Sequence, residues 1–318
     1  MRRLYDQLCR YDAATWASAV STLRPSIHRI DQDATTIWFA FFPLELHDLL
    51  SSGEPGAAGA RRLGLMGRWH LSEQVDRSHR FLYAHRYWPQ VKTAIGADED
   101  WPEPLTATVT AVADAAARTA RVDREMLLGI SAVGLMTLRQ AGPDAFAAAP
   151  GTIHLSQEVR RLTPHQVMRS RTKQTSQGLF GFARGLKKRW KVAFDEGDPD
   201  ATFTVIDGQE LATAAQTDKR EHRSRDARCT PGEGPIPVEC RAASCGTCWV
   251  GVLAGAERLS PVVERDEGRP LRAFGYVDEA QPAESTPLIR LACQARASGA
   301  VSIVIPPWNG MFGKYRKP

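Results

Sequence analysis

The residues best suited to chemistry in this chain are its cysteines. There are six in 318 residues, too few for a disulfide scaffold at this length, so their spacing carries the information. Cys240, Cys245 and Cys248 form a C-x4-C-x2-C run, and Cys293 follows after a further 44 residues. This is the plant-type spacing for a [2Fe–2S] cluster. Two irons bridged by two sulfides need two thiolates each. A tight loop can bring three thiolates around so small a core, and the fourth must return from elsewhere in the fold. The loop CRAASCGTC is built from small residues. Ala242, Ala243 and Gly246 let the backbone wrap closely and turn its N–H groups toward the sulfurs, while Ser244 and Thr247 offer hydroxyl donors. Such donors stabilise the extra negative charge of a reduced cluster and raise its potential. Zinc is the weaker reading, because structural zinc usually shows two close ligand pairs and this chain has a single C-x-x-C. Cys9 and Cys229 stand outside the pattern and read as ordinary free cysteines, with Cys229 as a redox-sensitive neighbour of the cluster as the alternative.

Residues 190–307 resemble a plant-type (β-grasp) [2Fe–2S] ferredoxin domain. The resemblance rests on IPVECRAASCGTCWVGVLAG, similar to the family's cysteine loop and following strand, and on LIRLACQARASGAVSIVIP, similar to its Leu-Ala-Cys-Gln segment and last strand. It covers a little over a third of the chain and implies Cys240, Cys245, Cys248 and Cys293 as the ligands of a [2Fe–2S] cluster. Ala243 stands where the family often has glycine. The stretches Lys219–Pro235 and Cys248–Cys293 are longer than in plain members. The second holds seven acids and four arginines between Glu257 and Glu284. Vertebrate-type ferredoxins, which the domain also resembles in having an extra segment there, carry an acidic partner-binding helix in that region. The resemblance thus makes Glu264, Asp266 and Glu267 candidates for docking.

The elements that must position these cysteines follow from pattern. Trp190–Phe194, Thr202–Ile206, Trp249–Leu253 and Val301–Ile305 read as short strands, and Glu210–Gln216 as a short helix, giving a small α+β domain. Ahead of it, Glu158–Lys191 holds ten Lys or Arg against one acid, a basic linker with short helices. Within it Thr163-Pro164-His165-Gln166 has the form of a helix start. Arg169, Arg171, Lys173, Arg184, Lys187, Lys188 and Arg189 read as a solvated face, or as a contact for an acidic redox partner, with nucleic acid or an anionic membrane as further alternatives.

The first 150 residues read as mostly helical. Asp12 can cap a helix carrying Trp16, Val20 and Leu23, and Leu105, Val109, Val112 and Ala116 share one face of another. Thr35–Phe42, β-branched and aromatic before Pro43, reads as a buried strand. Ser72 can cap a helix through Trp88 that Pro89 would interrupt. Asp123 can cap the apolar helix Met126–Leu138, which is shorter than the roughly 20 residues of a membrane span. Asp76 and His79 sit three apart, with His85 further on. A carboxylate-bridged di-iron site wants two Glu-x-x-His pairs, so a salt-bridged helix face flanked by Arg77 and Arg80 is the better reading. The aromatic group around Phe41, Phe81 and Trp88 reads as core. There is no G-x-G-x-x-G after a strand and no C-x-x-C-H.

The formal charge of +5 does not by itself argue for nucleic acid. The N-terminus shows no apolar segment behind its arginines, so a secretory signal is not expected, and the cysteine usage points to a reducing, cytoplasmic setting. Together these readings give an α+β chain: a mostly helical N-terminal module of unknown role (1–150), a basic linker (151–188), and a [2Fe–2S] ferredoxin-like domain with a tail (189–318). The expected function is one-electron transfer with a protein redox partner, a reductase or oxidoreductase, in which the N-terminal module serves docking or assembly. An electron-transfer component of an oxidoreductase is the alternative. A cluster-based sensor touching nucleic acid through the basic linker is the third reading.

Overall fold

The computed structural model describes residues 1–44, 75–97, 100–173, 188–270 and 287–306. The described residues fall into two units, one of residues up to 161 and one from 162 onward. The chain is α+β: helices occupy the first unit, and a mixed sheet dominates the second.

The first unit is built from α1 (Arg2–Leu8), α2 (Ala13–Leu23), α3 (Arg29–Phe41), α4 (Trp88–Gly96), α5 (Leu105–Ala120), α6 (Arg124–Ala141), α7 (Pro143–Ala148) and α8 (Gln157–Arg161), with a 3-10 turn at Tyr83–Tyr87. Asp12 caps α2 as its position suggests, accepting the Thr15 N–H at 2.8 Å. Asp123 stands at the N-cap of α6 without a side-chain hydrogen bond. Helix α6 is buried from Leu127 to Leu138 almost all round, and α3, α4 and α5 pack on it. Two glycines permit this closeness. A Cβ on Gly129 would lie 2.4 Å from Thr35 Oγ1, and one on Gly134 would lie 2.7 Å from Ile95 Cδ1, both inside contact distance.

The strand expected at Thr35–Phe42 is instead the second half of α3. Ile30, Ala34, Ile37, Trp38 and Phe41 recur at helical spacing and are all buried. The β-branched residues are accommodated because Thr35 and Thr36 donate their hydroxyls to the carbonyls of Asp31 and Gln32, at 2.7 and 3.2 Å. Pro89 does not interrupt a helix either. It sits in the first turn of α4, where its missing N–H is harmless; Ser72 lies outside the described residues.

The second unit begins with α9 (Pro164–Thr172), started by the capping box of Thr163 and Gln166. Next come β1 (Arg189–Ala193), β2 (Thr202–Ile206), β3 (Gln209–Glu210), α10 (Leu211–Ala215), β4 (Trp249–Ala254), β5 (Ile289–Leu291), β6 (Arg296–Ala297) and β7 (Val301–Val304). The main sheet has the order β2-β1-β7-β4-β5, with β1 and β7 parallel and the other pairs antiparallel. A second, two-stranded ladder pairs β3 with β6. Arg171, grouped in sequence with the basic segment, is buried and holds Glu196 at 2.6 Å, and Glu196 also accepts the Ser302 hydroxyl at 2.9 Å. Arg184 and Lys187 lie outside the described residues, as do the tail residues Lys314, Arg316 and Lys317 and the apolar Trp308 and Phe312.

Candidate metal centre

The loop Cys240–Cys248 is shaped by three left-handed residues: Arg241 at φ 54°, Ala243 at 55° and Gly246 at 74°. Alternating such residues with ordinary ones curls the chain into a concave nest whose N–H groups point inward. Here they point at sulfur. Cys240 Sγ accepts the N–H groups of Ala242 at 3.4 Å and Ser244 at 3.3 Å, and Cys245 Sγ accepts that of Thr247 at 3.5 Å.

Cys248 and Cys293 are brought together by the sheet. The antiparallel register of β4 and β5 sets Trp249 opposite Leu291, so the residues just beyond the ends of these strands meet. The Ala292 N–H donates to the Cys248 carbonyl at 2.9 Å. The turn carrying Cys293 is held by α10, whose first N–H groups, of Leu211 and Ala212, donate to the carbonyls of Ala295 and Ala292, each at 2.9 Å. This is why a fourth thiol 45 residues downstream of Cys248 can join a local loop: strand pairing, not chain proximity, delivers it.

The four thiols influence one another chiefly in two pairs, Cys240 with Cys245 and Cys248 with Cys293. Burial raises the Cys240 thiol, but hydrogen bonds from the Ser244 hydroxyl and the Ala242 N–H outweigh it, and the group is lowered to about 7. Cys293 is lowered to about 6, mainly by the hydrogen bond from Cys248 and despite its burial, with help from the Gln294 side chain and the Ala243 N–H. Its partner Cys248 is raised in return, by that same bond and by burial. Cys245 is raised by burial. Among the described residues, no three His, Cys, Asp or Glu side chains converge as on a single metal ion. A binuclear core asks only for two pairs, and two pairs with inward N–H donors are what the loop supplies. The residues therefore fit a [2Fe–2S] cluster.

Cys248 and Cys293 are buried, and Cys240 and Cys245 are half-buried. Cys229 is buried, donates to the Pro235 carbonyl at 3.3 Å and is pushed up to about 12 by burial, so it is held as a neutral thiol. Cys9 is exposed. Trp249 is core.

The acidic excursion is not uniformly a surface. Glu264 and Asp266 are exposed, but Glu267 is buried. Its carboxylate takes a bidentate pair of hydrogen bonds from Arg290, at 2.9 and 2.8 Å, and the Leu291 N–H at 2.7 Å. The docking role expected for Glu267 is therefore excluded by its position.

In the first unit, Asp76 and His79 do not form a salt-bridged helix face. They lie in a turn, and Asp76 accepts the Trp88 indole N–H at 2.7 Å and the Gly151 N–H at 2.8 Å. His79 and His85 are buried against each other, their Nδ1 atoms 2.9 Å apart. Nothing in the residue spacing announced this pair. The only sequence signal was two histidines within one short aromatic segment.

No curated protein and no solved structure matches the chain. Residues 194–298, a third of the chain that includes all four paired cysteines, match the family model of the 2Fe-2S iron-sulfur cluster binding domain, so the C-terminal part of this protein is a ferredoxin-type [2Fe–2S] domain.

Proposed function

We propose that the protein passes electrons one at a time between its [2Fe–2S] cluster and a protein redox partner, a reductase or oxidoreductase. In this reading Cys240 and Cys245 hold one iron and Cys248 and Cys293 the other. The observation that carries it is the gathering of four cysteines within the matched domain, three on a loop whose N–H groups point at sulfur and the fourth set by the β4–β5 register. When bound, the cluster supplies one-electron redox chemistry. The protein's part is to fix the thiolates, to place N–H donors where negative charge accumulates on reduction, and to set one edge near solvent. The half-buried Cys240–Cys245 edge, flanked by the exposed Arg241, Ala242 and Ser244, is the side from which an electron reaches a partner. In this proposal residues 189–318 form the cluster domain, 151–188 a basic linker and 1–150 a docking or assembly module. The β-grasp assignment is supported by the mixed sheet and by α10 packed on β2.

The test is iron and acid-labile sulfide content with electron paramagnetic resonance of the reduced protein. About two irons and two sulfides per chain and a reduced-state signal are expected. Cys293→Ser should lose the cluster, and Cys9→Ser should leave the visible spectrum unchanged. Equal behaviour of the two variants, or one tightly bound zinc without sulfide, would overturn the assignment.

A further inference from the structure

The first unit holds a cavity of about 710 Å³ lined by Asp76, Arg77, Arg80, His85, Thr152 and His154, among others, within the size range of small-molecule sites. The proton positions along its buried wall follow from chemistry. His79 Nε2 is 3.1 Å from the Val75 carbonyl oxygen, which can only accept, so His79 carries its proton on Nε2. Its Nδ1 is then a bare acceptor. His85 Nδ1 lies 2.9 Å away and must donate to it. A neutral His85 so arranged has no proton on Nε2. That nitrogen has no hydrogen-bond partner among the described residues, although His85 is 1% exposed and lines the cavity. Burial lowers His79 to about 3, and burial together with His79 and Arg80 lowers His85 to about 2, in keeping with two neutral rings.

The rest of the described lining is cationic at the mouth. Arg77 and Arg80 are exposed and have no carboxylate partner among the described residues, and His154 is exposed beside them. Among the described lining residues the one acid, Asp76, already accepts from Trp88 and Gly151. The wall thus offers one fixed lone pair at its buried end and guanidinium donors at its entrance.

We propose that this cavity binds a small anion that also carries an O–H group, the charge held by Arg77 and Arg80 and the hydroxyl donated to His85 Nε2. Phosphate and hydroxycarboxylate groups share that chemistry. The site goes beyond the electron-transfer reading and does not depend on it.

The test is isothermal titration of the full-length holoprotein with inorganic phosphate, lactate and acetate, together with nitrogen NMR of histidine-labelled protein. Phosphate and lactate are expected to bind at one site per chain. Acetate, with the charge but no hydroxyl, should bind about tenfold more weakly than lactate. The free protein should show His85 unprotonated at Nε2, with that resonance moving on binding. The surface variant R77Q/R80Q should weaken phosphate binding by about tenfold or more while the cluster spectrum is unchanged. Absence of phosphate and lactate binding at about 10 mM, equal binding of lactate and acetate, wild-type affinity in R77Q/R80Q, or a proton on His85 Nε2 would each overturn the proposal. So would a haem or a metal ion beyond the cluster that is present in the purified protein and lost in H85Q.

Discussion

Arg290 and Glu267 form a bidentate ion pair in which both side chains are 2% exposed. Glu267 comes from the excursion between the third and fourth cysteines, and Arg290 from β5, three residues before Cys293. The carboxylate also takes the Leu291 N–H. The excursion is therefore tied to the strand that delivers the fourth thiol.

Removing one partner of a buried pair strands the other charge, at a cost of about 3–5 kcal/mol, whereas replacing both with apolar groups is often neutral. Glu267→Gln is accordingly expected to destabilise the C-terminal unit by about 3–5 kcal/mol and to hasten loss of cluster absorbance in urea. The double variant Glu267→Leu with Arg290→Met should recover most of that loss. A single variant as stable as the parent would show that the pair does not anchor the excursion.

How much of this was legible in the sequence depended on how local each feature is. The cysteine loop was, because its spacing and small residues are contiguous, and the ends of β1, β2, β4 and β7 fall within a residue of the pattern, whereas β3, β5 and β6, two or three residues long, leave no period to read. Helix α3 does not show in Thr35–Phe42 taken alone. Ile30 and Ala34, which reveal the helical period, lie before it. Glu267 sits among Glu264, Arg265 and Asp266 and reads as solvated until its partner on β5 is known. The His79–His85 relay was illegible because it depends on where a turn places two rings and which carbonyl they meet.

Ala243 stands at φ 55° and is buried, in a conformation that disfavours a Cβ by about 1–2 kcal/mol. Its N–H is among the groups that lower the Cys293 thiol. Ala243→Gly should therefore keep the cluster and leave stability unchanged or raised by up to about 1 kcal/mol, the relief of strain being partly offset by unfolded-chain entropy. Ala243→Val, β-branched at a left-handed position, should lose the cluster. Visible absorbance and iron content would decide; an intact Val variant would mean that the loop tolerates redirection of this N–H.

His79 and His85 are lowered to about 3 and 2, chiefly by burial, while an unfolded histidine titrates near about 6.5. Below that pH the unfolded chain takes up protons that the folded pair refuses. The stability they contribute is full above about pH 6.5 and falls as pH drops toward 3, by up to about 1.4 kcal/mol per pH unit for each ring. Denaturation followed by far-UV circular dichroism between about pH 5 and 7 should show helical stability rising with pH. The slope should shrink in His85→Gln. A flat profile would mean that both rings take up protons in the folded protein as readily as in the unfolded chain.

The remaining prediction concerns docking. Glu264 and Asp266 are exposed with Val263 beside them, the latter 55% exposed, while Lys188 and Arg189 expose charge of the opposite sign at the start of β1. Long-range attraction between such patches and a partner raises the association rate and is screened by salt, with a Debye length near about 8 Å at physiological ionic strength. Stopped-flow electron transfer to the cognate partner should therefore slow as salt rises. If the acidic excursion docks, Glu264→Lys with Asp266→Lys should flatten or invert that dependence. If the basic side docks, neutralising Lys188 and Arg189 should do so instead. Both sets of substitutions lie on the surface and leave the Glu267–Arg290 pair intact, so a changed slope reports the encounter and not the fold. A rate indifferent to salt in the parent and in both variants would reject charge steering and leave an apolar contact, with Val263 the exposed large apolar side chain among the described residues.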